Sequence, residues 1–238
     1  MDRELARKAT AEAVGTAMLV AIVVGSGIFA QRLSPDDVGL QLLENSTATA
    51  AGLVAIILAF GAVSGAHFNP VVSLADRLLG GLTNREFAVY TVAQIAGGCV
   101  GAMVANLMFD LDAVNISTRD RSSPALWLGE VVATFGLLIV ILGVVRSGRA
   151  SLAPFAVAGY IGAAYWFTSS TSFANPAVTI ARTLSDTFAG IEPSSVPAFI
   201  VAQVVGALLA VALAVFLHPD LSAEDVVVPH EPSEASNH

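Results

Sequence analysis

Six apolar stretches, each close to the length that crosses a lipid bilayer, recur along this 238-residue chain near 10–30, 47–66, 86–109, 125–145, 151–168 and 196–217. A helix needs roughly 20 residues, rising 1.5 Å each, to traverse about 30 Å of hydrocarbon. Lipid offers no hydrogen bonds, so each span must satisfy its own backbone, which a helix does. The pattern predicts an all-α integral membrane protein. Composition agrees, since 55% hydrophobic and 13% charged residues lie well outside the range of soluble domains. The first stretch follows Arg3, Arg7 and Lys8 but carries Glu12 and exceeds the apolar core of a secretory signal, so it reads as a retained span.

The chain contains one cysteine, Cys99, at membrane depth, which leaves no disulfide or cysteine metal site and reads as a small core residue. The net charge of −8 does not indicate a nucleic-acid partner. Asp220, Glu224, Asp225, Glu231 and Glu234 gather in a polar segment after the last span, expected to be a disordered tail over 218–238. Residues 1–9 form a short N-terminal lead, and 10–217 a single transmembrane domain.

That domain reads as two copies of one unit, about 10–109 and 125–217. SGAHFNPVVSLADR at Ser64 answers TSFANPAVTIART at Thr171, EAVGT at Glu12 answers EVVAT at Glu130, and VAQIAGG around Gln94 answers VAQVVGA around Gln203. The offsets of the three landmarks are roughly 106, 118 and 109 positions, as in tandem transport repeats with small loop-length differences. Each unit holds three spans, an odd number, so the second enters from the opposite side and the repeats are inverted. Arg3, Arg7, Lys8, Arg77, Arg85, Arg146 and Arg149 fall on one side, and Arg32, Arg119, Arg121 and Arg182 on the other. The excess of basic residues on the first side places both termini in the cytoplasm.

Two segments, after Asn69-Pro70 and after Asn175-Pro176, are too short to span. Asn caps free N–H groups and Pro suits the first helical position, so each begins a half-length helix. In an inverted pair the two must meet, N-terminus to N-terminus, near the midplane. Irregular backbone survives at that depth only inside protein or against a water-filled cavity, so 64–68 and 170–174 are expected to turn carbonyls toward a pore. Asn69 and Asn175 would supply amide donors where both helix dipoles present their positive ends, which disfavours cations and protons.

These marks resemble the major intrinsic proteins, the aquaporins and aquaglyceroporins: two Asn-Pro-Ala-type boxes (NPV at Asn69, NPA at Asn175), SGAHFNP, and the paired Glu and Gln motifs, over about 12–216. The resemblance implies a right-handed bundle of six helices plus two re-entrant half-helices, one pore per subunit, a homotetramer and no cofactor. It assigns Glu12 and Glu130 to fixing the pore loops through hydrogen bonds rather than to a proton relay, with Gln94, Gln203 and His67 in support. The implied setting is a multi-pass protein of a cell inner membrane, and the near exclusive use of arginine over lysine fits a GC-rich bacterial source.

The chain departs from the family's usual filter. The arginine that commonly follows the second box is Val178 here, and the aspartate that follows it in glycerol facilitators is Thr179. Ungapped spacing from the boxes gives Thr49, with Ala51 as rival, Ala163 and Ser172 as the other filter positions. None is bulky, so the filter is expected to be wide and to pass solutes larger than water. Arg182, one turn beyond Val178, is expected to snorkel to the interface, with a place in the outer vestibule as the alternative. A small aliphatic residue for the filter arginine resembles the bacterial branch associated with trivalent arsenicals. The expected function is passive passage of small uncharged solutes: glycerol, arsenite or methylated trivalent arsenicals, and water. A strict water channel, a small proton-coupled transporter built on inverted repeats and a closed structural or sensing protein remain alternatives.

Overall fold

A computed structural model describes residues 2–219; the acidic segment from 220 on lies outside the described residues. The first repeat comprises α1 (Arg3–Leu33), α2 (Val38–Ser64), the half-helix α3 (Pro70–Leu78) and α4 (Asn84–Met108); the second comprises α5 (Pro124–Arg146), α6 (Ala153–Phe167), the half-helix α7 (Pro176–Ala181) and α8 (Val196–Leu217). Six of these, counting the 3₁₀ turns that lead into α6 and α8, are long and apolar enough to cross a membrane. This is the six-span, two-half-helix architecture built from inverted repeats.

Helix ends follow local chemistry. Asp2 caps α1 by accepting from the Leu5 N–H, Asp37 caps α2 from Leu40, and Thr83 with Glu86 forms a reciprocal capping box on α4. These polar caps lengthen the helices past the apolar windows: α1 starts at Arg3 and α2 at Val38, because a helix continues into the interface until its free N–H groups are met. Glu12, at the start of the first apolar stretch, therefore lies well within α1 and is fully buried.

The two halves pack alike. α1 lies against α4 and α2, and α5 against α8 and α6, while α2 meets α6 across the repeats. Small residues set the spacing: a Cβ on Gly97 or Gly101 would come within 2.0 and 2.1 Å of the Ala13 and Ala17 carbonyl oxygens of α1, and one on Gly206 within 2.5 Å of the Val131 oxygen of α5. Close backbone approach through glycine is the main way helices associate where lipid removes a hydrophobic drive. Both half-helices seat against α4 and α8 and touch each other.

Candidate functional site

The half-helices meet through their first residues. Asn69 Oδ1 accepts from the Val71 N–H at 3.0 Å, and Asn175 Oδ1 accepts from Ala177 and Val178 at 3.0 and 3.2 Å. Each amide nitrogen then points across the junction: Asn69 Nδ2 donates to the Ala174 carbonyl and Asn175 Nδ2 to the Phe68 carbonyl, both at 2.7 Å. An amide carries two N–H groups, so one on each asparagine remains for the cavity that both residues line.

The loops leading into the boxes share one backbone. Gly65, Ala66 and Phe68 have φ of 83, 51 and 48°, and Thr171, Ser172 and Ala174 have 61, 52 and 47°. Left-handed conformations in residues with a Cβ cost about 1–3 kcal/mol each and persist only where the surroundings fix them. The buried carboxylates do that fixing. Glu12 accepts from the His67 and Phe68 amides at 3.0 and 2.7 Å, from Ser64 Oγ at 2.6 Å and from Gln94 Nε2 at 2.7 Å. Glu130 accepts from the Phe173 and Ala174 amides at 2.9 and 2.8 Å and from Gln203 Nε2 at 2.6 Å. The glutamine amides reach on to Ser73 and Thr179 on the half-helices at 3.0 and 2.8 Å. His67 turns Nδ1 to Ser73 Oγ at 3.0 Å and Nε2 to Asp76 Oδ2 at 3.2 Å, with both side chains buried.

A cavity of about 430 Å³, mostly apolar, runs from Ser151 and Pro154 on the face where α1 begins and α8 ends, past Asn69 and Asn175, to Ser172, Val178 and Arg182 on the other side. Thr49 lines it and is buried, whereas its rival Ala51 is exposed on the outside of α2. Ser172 lines it with a buried Oγ that has no partner among the described residues. Ala163 does not line it. That residue faces outward from α6, and Tyr165 takes its place, lining the cavity with its hydroxyl 3.2 Å from Thr49 Oγ1. Two helix positions differ by roughly 200°, so the loop 168–174 had only to shift the count by two residues to exchange an outward alanine for an inward tyrosine. The cavity wall beside Thr49 thus carries a bulky aromatic rather than a small residue.

Arg182 does not snorkel. It is 2% exposed, lines the cavity, donates from Nε to the Ala189 carbonyl, and sets its guanidinium carbon 3.4 Å from the Phe173 ring centroid. Side chains lean toward the N-terminus of their own helix. In a half-helix whose N-terminus lies at the midplane, that direction is inward. Arg121, which spacing and motif left unmarked, approaches the same ring at 4.9 Å and donates to the Gly190 carbonyl at 3.0 Å. Burial, then the charges of Arg182 and Arg119, push its pKa down to about 9, so it stays cationic at neutral pH.

The family model described as "Major intrinsic protein" matches residues 2–173, and a curated relative, the aquaglyceroporin AqpS of Rhizobium meliloti (strain 1021), is 51% identical over 210 residues, covering 88% of this chain and 89% of its own. The chain belongs to the major intrinsic protein family. The probable aquaporin AqpM of Archaeoglobus fulgidus is 29% identical over 88% of this chain and 96% of its own. In fold, the chain resembles the aquaglyceroporin from Plasmodium falciparum, with a TM-score of 0.66 at 20% identity over 90% of this chain and 98% of that one. As a major intrinsic protein it is a multi-pass membrane channel. The family match ends at Phe173, short of the second box, which the internal repeat pairs with the first.

Proposed function

We propose that the cavity is the conduction path and that it passes small uncharged, hydroxyl-bearing solutes such as glycerol and arsenite, or methylated trivalent arsenicals, with water alongside. The observation that carries this reading is the junction at Asn69 and Asn175: two helix N-termini facing one apolar passage, each asparagine cross-tied and keeping one N–H for a passing solute. Thr49, Tyr165, Ser172 and Val178 form the filter, with Val178 supplying no donor and Ser172 Oγ free of protein partners among the described residues. A neutral solute exchanges water's hydrogen bonds for this short polar ladder. A likeness of 51% to a protein named an aquaglyceroporin supports solutes larger than water.

Glu12 and Glu130 are saturated by loop amides and glutamines, which favours bracing over proton coupling and a passive channel over a transporter. No catalytic step or cofactor is invoked. The chain works as a homotetramer in a bacterial inner membrane, with both termini cytoplasmic.

Flux into proteoliposomes, with water, glycerol, urea and arsenite side by side, tests the proposal. Expected are a low activation energy and no dependence on a proton gradient; saturable, gradient-driven uptake would end this reading. Val178→Arg adds a bulky donor beside Ser172 and should depress glycerol and arsenite more than water. Equal passage of the large solutes by variant and parent would place the constriction elsewhere.

A further inference from the structure

Aligning the repeats on their boxes superposes His67 on Phe173, Ser73 on Thr179 and Asp76 on Arg182. The same position, five residues past each box's third residue, thus carries opposite charges in the two halves. Each is tied to the ring two residues before its own asparagine: Asp76 to His67 Nε2, Arg182 to the face of Phe173. In the first half the acid faces an imidazole, His67 Nε2 standing 3.2 Å from Asp76 Oδ2.

In the second half the base faces a phenyl ring instead of an acid. Ion pairs among the described residues join Lys8 to Glu4, Arg85 to Asp2 and His67 to Asp76, and none includes Arg182 or Arg121. Arg182 spends Nε on Ala189, which leaves its terminal nitrogens on the cavity side with no hydrogen-bond partner among the described residues. Glu130 is the acid whose charge acts on both arginines, but it is held by loop amides and Gln203 and is paired with neither; a buried cation without an ion-pair partner is costly and is kept where its field is useful. Arg121, cationic and buried behind the same ring, adds to that field rather than cancelling it.

Resting on the conduction path proposed above, we infer that Arg182 is the charge-selecting residue of this pore. Its guanidinium, reinforced by Arg121, repels small cations before they reach the Asn69–Asn175 junction. Its terminal N–H groups are the donors that a neutral hydroxyl-bearing solute meets beside Ser172 and Val178, where Val178 itself offers none. The phenyl face of Phe173 holds the guanidinium plane in place through a cation–π contact, which frees its edge for solute.

The experiment compares the parent with Arg182→Met and Arg182→Lys in proteoliposomes, reading glycerol uptake and, separately, methylammonium entry and collapse of an imposed pH difference. A unit charge a few ångströms from the path sets a barrier large enough that its removal should raise methylammonium entry roughly tenfold or more. Arg182→Met should leak in this way while still passing glycerol. Arg182→Lys, which keeps the charge, should remain tight to cations but pass glycerol less selectively over urea, because one compact ammonium replaces a planar fork. If Arg182→Met does not fold, Arg182→Gln keeps a donor without the charge and must show the same leak. Cation exclusion as tight as the parent's in a folded, glycerol-passing neutral variant overturns the assignment and leaves the conduction path standing. A parent that passes no glycerol overturns the path as well.

Discussion

Single side chains decide what the loops can hold. Glu12 receives four hydrogen bonds and Glu130 three, and the loops they hold carry left-handed residues other than glycine. Replacing a carboxylate by an amide turns an acceptor into a donor facing other donors, and each buried amide left without an acceptor costs about 1–3 kcal/mol. Glu12→Gln and Glu130→Gln should therefore lower the unfolding temperature of the purified protein and reduce glycerol flux together. Flux that becomes pH-dependent with no loss of stability would indicate a proton relay instead. The internal repeat alone marks both glutamates, both glutamines and both asparagines, since each recurs in the same order in the two halves. It does not reach Tyr165, which lies beyond an irregular loop whose geometry no count of residues supplies. Tyr165→Ala, which opens the neck beside Thr49, should raise urea and glycerol flux severalfold over the parent in the same vesicles. An unchanged ratio of large solutes to water would remove Tyr165 from the filter.

At the level of helices, the sequence repeat already contains the architecture, because three spans and one half-span per unit admit only an inverted pair. Periodicity places the apolar windows, while the ends depend on caps such as Asp37 and the Thr83–Glu86 box, which extend helices into polar residues that hydropathy reads as loops. The direction of Arg182 was hidden for a related reason. Its residue type suits an interface, yet it follows directly on α7 in helical backbone and turns inward to line the cavity over Phe173. Packing between helices rests on absent side chains. Gly101 meets the Ala17 carbonyl so closely that a Cβ would sit 2.1 Å from it, whereas Gly143 on α5 has nothing within 4 Å. Overpacking of this kind costs about 1–3 kcal/mol or more. Gly101→Val should separate α1 from α4 and lower the thermal stability of the detergent-solubilised protein, while Gly143→Ala should leave it within about 0.5 kcal/mol of the parent. Equal stability of the two variants would mean that the α1–α4 seam tolerates a gap.

Across the whole molecule, charge is sorted by both side and depth. The face that holds the N-terminus and the end of α8 carries Arg3, Arg7, Lys8, Arg77, Arg85, Arg146 and Arg149 at exposed or half-buried positions. Of the four arginines on the opposite face, Arg121 and Arg182 are buried in protein, and only Arg32 and Arg119 are exposed. The surface asymmetry is thus steeper than the sequence suggests, and the rule that basic residues stay on the cytoplasmic side supports the proposed orientation with both termini inside. Burying the two arginines also concentrates positive charge around the passage rather than on the rim, so the same placement serves both topology and cation exclusion. Single cysteines test the orientation in a Cys99→Ala background: Asp112→Cys in the loop before α5 and Ser147→Cys in the loop after it, both at exposed positions. A membrane-impermeant thiol reagent applied to intact cells should label Asp112→Cys at once and Ser147→Cys only after lysis. The reverse pattern would turn the channel over in the membrane and place Arg182 at the cytoplasmic mouth, where it would meet solutes leaving the cell first.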